Sequence, residues 1–189
     1  RLQQALQAAP SHAQAWLTLA SLYKLDGRYA QAQDACAKVA ATGAALYGRI
    51  CITELRSLQG ASVGAAWEAL QAQVRAEHPA IESWLLSLWG EHLERQGQTA
   101  QALQRYRQSL ALEADPYTAL AKADLLLRLG RGPEALSVLS AAPDTDAVLL
   151  RRARAHRMTN QPEWKTLRAE LLNRQQAQER RGEQLDAHA

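Results

Sequence analysis

The chain has 189 residues, 47% of them hydrophobic, and a formal net charge of +3, which is enough for a full hydrophobic core, as one domain or as a stack of small units. Two cysteines exclude a disulfide-dense mini-scaffold and a four-thiolate zinc site, and no apolar run approaches the roughly 20 residues needed to span a bilayer. Charge is uneven: residues 1–146 carry 13 Lys and Arg against 14 Asp and Glu, residues 147–189 carry 9 against 5, a mild basic bias towards anionic partners.

Ala, Leu, Gln and Arg dominate and Phe is absent, a composition that loses little rotamer freedom in a helix. No sustained alternation of apolar and polar residues suggests strands. The expected fold class is all-α.

Residues 1–12 begin in mid-helix, with Leu2, Ala5 and Leu6 apolar. With no initiator Met and no signal-peptide pattern, they read as the end of a truncated unit in a longer polypeptide. The next unit, 13–45, places Trp16, Leu19, Ala20 and Tyr23 at helical spacing before Gly27. Units 46–82, 83–115 and 116–145 follow. Gly27, Gly60, Gly97 and Gly130 mark them at spacings of 33, 37 and 33, a period that indicates a repeat. Each glycine follows an apolar helical pattern, precedes an Ala-rich one, and is followed five places on by a small residue: Ala32, Ala65, Ala102 and Ala135.

That pattern predicts helical hairpins, each closed by a glycine that accepts a left-handed backbone. Small residues at Ala20, Gly90 and Ala123 let paired helices approach, and the bulky Trp16, Tyr23, Trp89 and Tyr106 fill the core. Pro10, Pro79, Pro116 and Pro143 are expected to stop second helices. Trp67 and Trp164 fall on no characteristic site. In the last unit, 146–181, Asn160 replaces the glycine. Residues 163–181 read as a longer amphipathic helix with Trp164, Leu167, Leu171 and Leu172 on one face, and 182–189 as a polar, frayed tail.

Chemistry-bearing motifs are lacking: there is no GxSxG, no phosphate-binding glycine loop, no HExxH and no CxxC. His12, His78, His92, His156 and His188 are scattered, and the Glu91-His92 pair occupies adjacent positions that point to different faces and read as polar helix surface. No catalytic residue, metal or cofactor is expected. Cys36 and Cys51 lie on consecutive helices about seven or eight residues from the turn at Thr42-Gly43-Ala44, so antiparallel packing would bring them level within disulfide reach. A bond would imply an oxidising compartment such as a bacterial periplasm; two small buried thiols in a cytoplasmic protein are the alternative.

These residues resemble the tetratricopeptide repeat. Trp16, Leu19, Ala20, Tyr23, Gly27, Tyr29 and Ala32 fall where that family places them. Residues 83–116 and 116–145 match moderately and 46–79 weakly, because Arg49 and Arg56 stand at usually apolar sites, as Arg152 does at a usually buried one. The resemblance implies an α-solenoid, a right-handed superhelix acting as a non-catalytic scaffold for a protein or peptide. Its concave surface, carried over residue by residue, would comprise Lys24, Tyr47, Glu54, Trp84, Glu91, Glu94, Arg95, Tyr117, Asp124, Arg128, Arg151, Arg154 and Arg157. Trp84 and Tyr117 are large aromatics that the core does not need, as binding hot spots often are. The acidic middle of that surface would favour a peptide carrying Arg or Lys. Two alternatives stand beside this: a structural spacer with no groove ligand, and nucleic-acid or anion binding through the Arg-rich run 149–157.

Overall fold

The computed structural model describes residue 6 and residues 11–74 and 78–180. Pro10, His188, most of the expected partial unit 1–12 and the whole of the tail 182–189 lie outside them. Among the described residues there are ten helices and no strand, so the fold is all-α. The chain divides into two compact units, 1–96 and 97–189.

The first unit contains α1 (Ala13–Leu25), α2 (Tyr29–Ala41), α3 (Ala45–Leu58), α4 (Gly64–Val74) and α5 (Pro79–Arg95). Consecutive helices pack on one another, and the alternate helices also touch, α1 with α3 and α3 with α5. The second unit contains α6 (Thr99–Leu112), α7 (Pro116–Arg128), α8 (Gly132–Leu139), α9 (Asp146–Met158) and α10 (Glu163–Arg180). There α9 packs on α7, α8 and α10.

The hairpin turns share one hydrogen-bond arrangement. After α1 the Arg28 amide donates to the Tyr23 carbonyl (2.8 Å) while Gly27 donates to Lys24 (3.2 Å). The same pair of bonds recurs from Ala61 to Arg56 and Gly60 to Ser57, and from Arg131 to Leu126 and Gly130 to Leu127. This closure satisfies carbonyls that a helix end leaves unpaired, and it requires a left-handed residue. Gly27, Gly60, Gly97 and Gly130 all have φ between 70° and 82°. After α9, Asn160 takes that conformation at φ 53°, and Gln161 donates to His156 (2.9 Å). Asn reaches the left-handed region at low cost because its short polar side chain bonds locally.

The prolines lie at helix boundaries: Pro79 and Pro116 are the first residues of α5 and α7, and Pro143 falls between α8 and α9. A proline fits the first position because the amide it lacks would be unpaired in any case. Ala65 is exposed, whereas Ala32, Ala102 and Ala135 are fully buried. The turn after Gly60 runs through Ala61, Ser62 and Val63, so α4 starts four residues past its glycine, not two. The fourth residue of α4, matching Ala32 in α2, is therefore Trp67, and it is completely buried.

Trp89 and Tyr106 are core, as their spacing predicts. Trp16 and Tyr23 are only half-buried and, with Leu6 and Leu19, line a cavity of about 530 Å3 against α2. A close approach comes at Gly48, where an added Cβ would lie 2.8 Å from the Cβ of Ala40. That contact draws α2 and α3 together, and Cys36 and Cys51 lie next to it with Cα atoms 5.6 Å apart and sulfurs at 1.99 Å. The pair is buried among Ala20 and Ala35, with Trp16, Leu17, Tyr23 and Ile52 packed around it.

Candidate functional site

In the first unit α1, α3 and α5, the alternate helices, bound a cavity of about 430 Å3. Helical spacing places Gln14, Leu17, Thr18 and Ser21 on one face of α1, and α5 contributes Ala80, Ile81 and Trp84 on its first turns. Cys51 forms part of the floor. Tyr47 and Trp84 stack across it with ring centroids 5.8 Å apart and planes inclined at 29°, a separation within the range of favourable aromatic pairs. Lys24, also on the wall, is ion-paired with Glu54 of α3, and both side chains are largely buried. A pair this shielded from water holds its geometry, and its charges are spent on each other.

Lys24, Tyr47 and Trp84 thus line one concavity, with Glu54 paired to Lys24. Leu17, Thr18, Ser21 and Ile81 complete it without having been singled out from the sequence; they share a helix face with Lys24 or Trp84, which is the signal that finds them. Glu91 is 3.6 Å from Arg95 one turn along α5. Arg95 also donates to the Ser57 hydroxyl (2.8 Å), which lies 2.8 Å from His92 Nδ1. The hydroxyl takes one bond from arginine and shares a second with the imidazole, in the direction that the ring tautomer sets.

His92 is therefore no surface residue: 5% of it is exposed. Burial, assisted by the charge of Arg95, lowers its pKa below the usual 6.5. Ser57, at 3% exposure, offers no access to a substrate, so this hydroxyl–imidazole pair ties α3 to α5. Among the described residues no group of three or more His, Cys, Asp or Glu could hold a metal ion, and no helix is long and apolar enough to cross a membrane.

In the second unit the predicted residues separate. Arg151 of α9 grips Asp124 of α7 through two bonds, Nε to Oδ1 at 2.9 Å and Nη2 to Oδ2 at 2.6 Å, and Nη1 donates to the Ala147 carbonyl. A two-pronged guanidinium–carboxylate contact fixes orientation as well as charge. Arg151 is consequently not a free cation for phosphate. With Glu54, Glu91 and Asp124 each facing a cation, the expected acidic middle is neutralised at those three positions. Tyr117 is 59% exposed at the start of α7, where Asp115 caps the helix by accepting from the Tyr117 and Thr118 amides. Arg128, at the other end of α7, is exposed, whereas Glu94 of the first unit is half-buried. Arg152 donates to the carbonyl of Leu139, the last residue of α8, and to that of Ala142 just beyond it, and pairs with Asp144, where a cation complements the helix dipole.

Arg154 and Arg157 turn the other way. With Leu150 and Ala153 they line a groove of about 460 Å3 between α9 and α10, to which α10 adds Trp164, Arg168 and Leu171. No family model matches the chain, and neither does any curated protein sequence.

Proposed function

We propose that the protein is a non-catalytic interaction module of tetratricopeptide-like hairpins wound into a right-handed superhelix, and that it binds a segment of a partner protein on its first helices. The observation that carries this is the cavity bounded by α1, α3 and α5 with the stacked Tyr47–Trp84 pair in its lining. Contacts between alternate helices, together with hairpin turns of one design, support the repeat architecture. An open concavity between neighbouring repeats suits an extended partner rather than an enclosed reaction.

Leu17, Ile81 and the two rings give the cavity apolar walls, and Lys24 is already neutralised by Glu54. The partner segment therefore presents an apolar side chain here, with aromatic rings as the anchors of the interface. The Cys36–Cys51 bond beneath the cavity fits a protein that works in an oxidising compartment such as a periplasm.

Selection of displayed random peptides on the chain tests this reading. Enriched peptides should share an apolar anchor residue and lose at least about tenfold in affinity for Trp84→Ala or Leu17→Glu, the usual consequence of removing a hot spot. Enriched peptides that bind both variants as they bind the parent chain would overturn it.

A further inference from the structure

We infer that the groove between α9 and α10 is a docking site for an amphipathic helix of a partner protein, one whose apolar stripe is flanked by acidic residues. The site is distinct from the cavity bounded by α1, α3 and α5 and stands independently of the function proposed for it.

The shape follows from two helix faces. Leu150, Ala153, Arg154 and Arg157 recur at helical spacing on α9, and Trp164, Arg168 and Leu171 do so on α10. Each stripe spans eight residues, about 12 Å of helix, and matches two turns of an incoming helix. The floor is apolar and open: Leu150 is 48% exposed, and no residue of α10 is fully buried. This unit already contains the corresponding packing one hairpin earlier, where α9 itself packs on both α7 and α8. A helix laid on α9 and α10 would repeat that arrangement.

Charge identifies the occupant. Around the groove the arginines fall into two sets. Arg151, Arg152 and Arg174 are each held by a carboxylate, from Asp124, Asp144, and Asp146 with Glu170 respectively. Arg154, Arg157 and Arg168 have no acidic partner among the described residues, and all three line the groove. Three uncompensated cations around an apolar floor call for carboxylates beside leucine-like side chains, the arrangement of a helix-in-groove complex. A nucleic-acid strand fits less well. The uncompensated charge is a compact cluster rather than a track, and the Trp164 ring on which a base would stack has Arg157 and Lys165 cations 5.9 Å from its centroid.

The test uses fluorescence anisotropy of the complete chain with three labelled probes. They are a peptide of about 16 residues with leucines at i, i+3, i+4 and i+7 flanked by glutamates, the same peptide with lysines for glutamates, and an oligothymidine. The acidic peptide should bind at least about tenfold tighter than its lysine counterpart and weaken as salt rises. Arg154→Glu/Arg168→Glu and, separately, Leu150→Asp should each weaken it at least about tenfold. These residues are exposed, and unchanged circular dichroism would show that the fold survives. Trp84→Ala should leave this binding intact, which separates the groove from the other cavity. Equal binding of the two peptides, or an acidic peptide indifferent to either variant, would overturn the inference. So would oligothymidine that binds more tightly and is lost in the arginine variant, or self-association abolished by Leu150→Asp; these would assign the groove to nucleic acid or to a second copy.

Discussion

Gly48 of α3 lies directly against Ala40 of α2: a Cβ on the glycine would stand 2.8 Å from both the Cβ and the backbone nitrogen of the alanine. Backbone on the far side of a contact does not step aside as a flexible side chain would. Gly48→Ala should gain about 1 kcal/mol of helix propensity against about 1–3 kcal/mol of overpacking, and contact with the Ala40 backbone puts it towards the upper end, a net loss of up to about 2 kcal/mol. Gly64, where an added Cβ meets nothing within 4 Å, supplies the control. Gly64→Ala should leave the urea midpoint unchanged or raise it, and Gly48→Ala should lower it. Two shifts of the same sign would mean that the close approach is not what limits residue 48.

The same approach holds Cys36 within reach of Cys51, 15 residues on. Closing a loop of that length removes freedom from the unfolded chain worth about 3 kcal/mol in the chain-entropy model. Reduction by dithiothreitol, or the Cys36→Ala/Cys51→Ala double variant, should therefore lower unfolding stability by about that amount with the helical spectrum kept. Alkylation without reductant provides the chemical check. Two alkylated thiols in the untreated protein would show that the bond does not form.

How far the sequence carried the fold can be argued from its glycines and its tryptophans. Left-handed positions were legible, Asn160 included, because few residues adopt that conformation and the turn leaves no alternative. Trp67 was not, because counting five places from Gly60 lands on Ala65 and misses two extra turn residues. The candidate site was half legible. The resemblance to the tetratricopeptide repeat put Lys24, Tyr47, Glu54 and Trp84 on one surface, but ion pairing depends on rotamers and on which helix lies opposite. Thus Arg151 and Arg154, three residues apart, share a run of sequence, yet Arg151 is held by Asp124 while Arg154 lines the groove between α9 and α10. The register argument has its own test. Trp67→Ala should cost about 3–5 kcal/mol, as a large buried ring does, whereas Ala65→Lys should cost under about 0.5 kcal/mol, as exposed substitutions do. Comparable losses from both would refute the shifted alignment.

Asp124 and Arg151 are partly exposed, so water screens their attraction, but the two-pronged geometry retains more of it than a single contact would. A double-mutant cycle over Asp124→Asn and Arg151→Gln should give a coupling of about 1 kcal/mol, diminishing in high salt. A coupling indistinguishable from zero at low salt would demote the pair to a surface contact that does nothing for the α7–α9 packing.

His92 gives the protein a pH dependence whose sign is fixed by its surroundings. Burial, and then the charge of Arg95, lowers its pKa in the folded state below 6.5, while in the unfolded chain it titrates near 6.5. Above that value the ring is neutral in both states and its contribution to stability is constant. As the pH falls below it, the unfolded chain takes up the proton first, so stability drops until the folded-state pKa is passed. Protonation would also set a second cation beside Arg95, with both on the Ser57 hydroxyl. His92→Gln keeps a hydrogen-bonding side chain for the hydroxyl and removes the titration. Between pH 7.5 and 5.5 the melting temperature of the parent chain should fall further than that of His92→Gln, with the histidines shared by both cancelling in the difference. Parallel curves would exclude His92 as the group responsible.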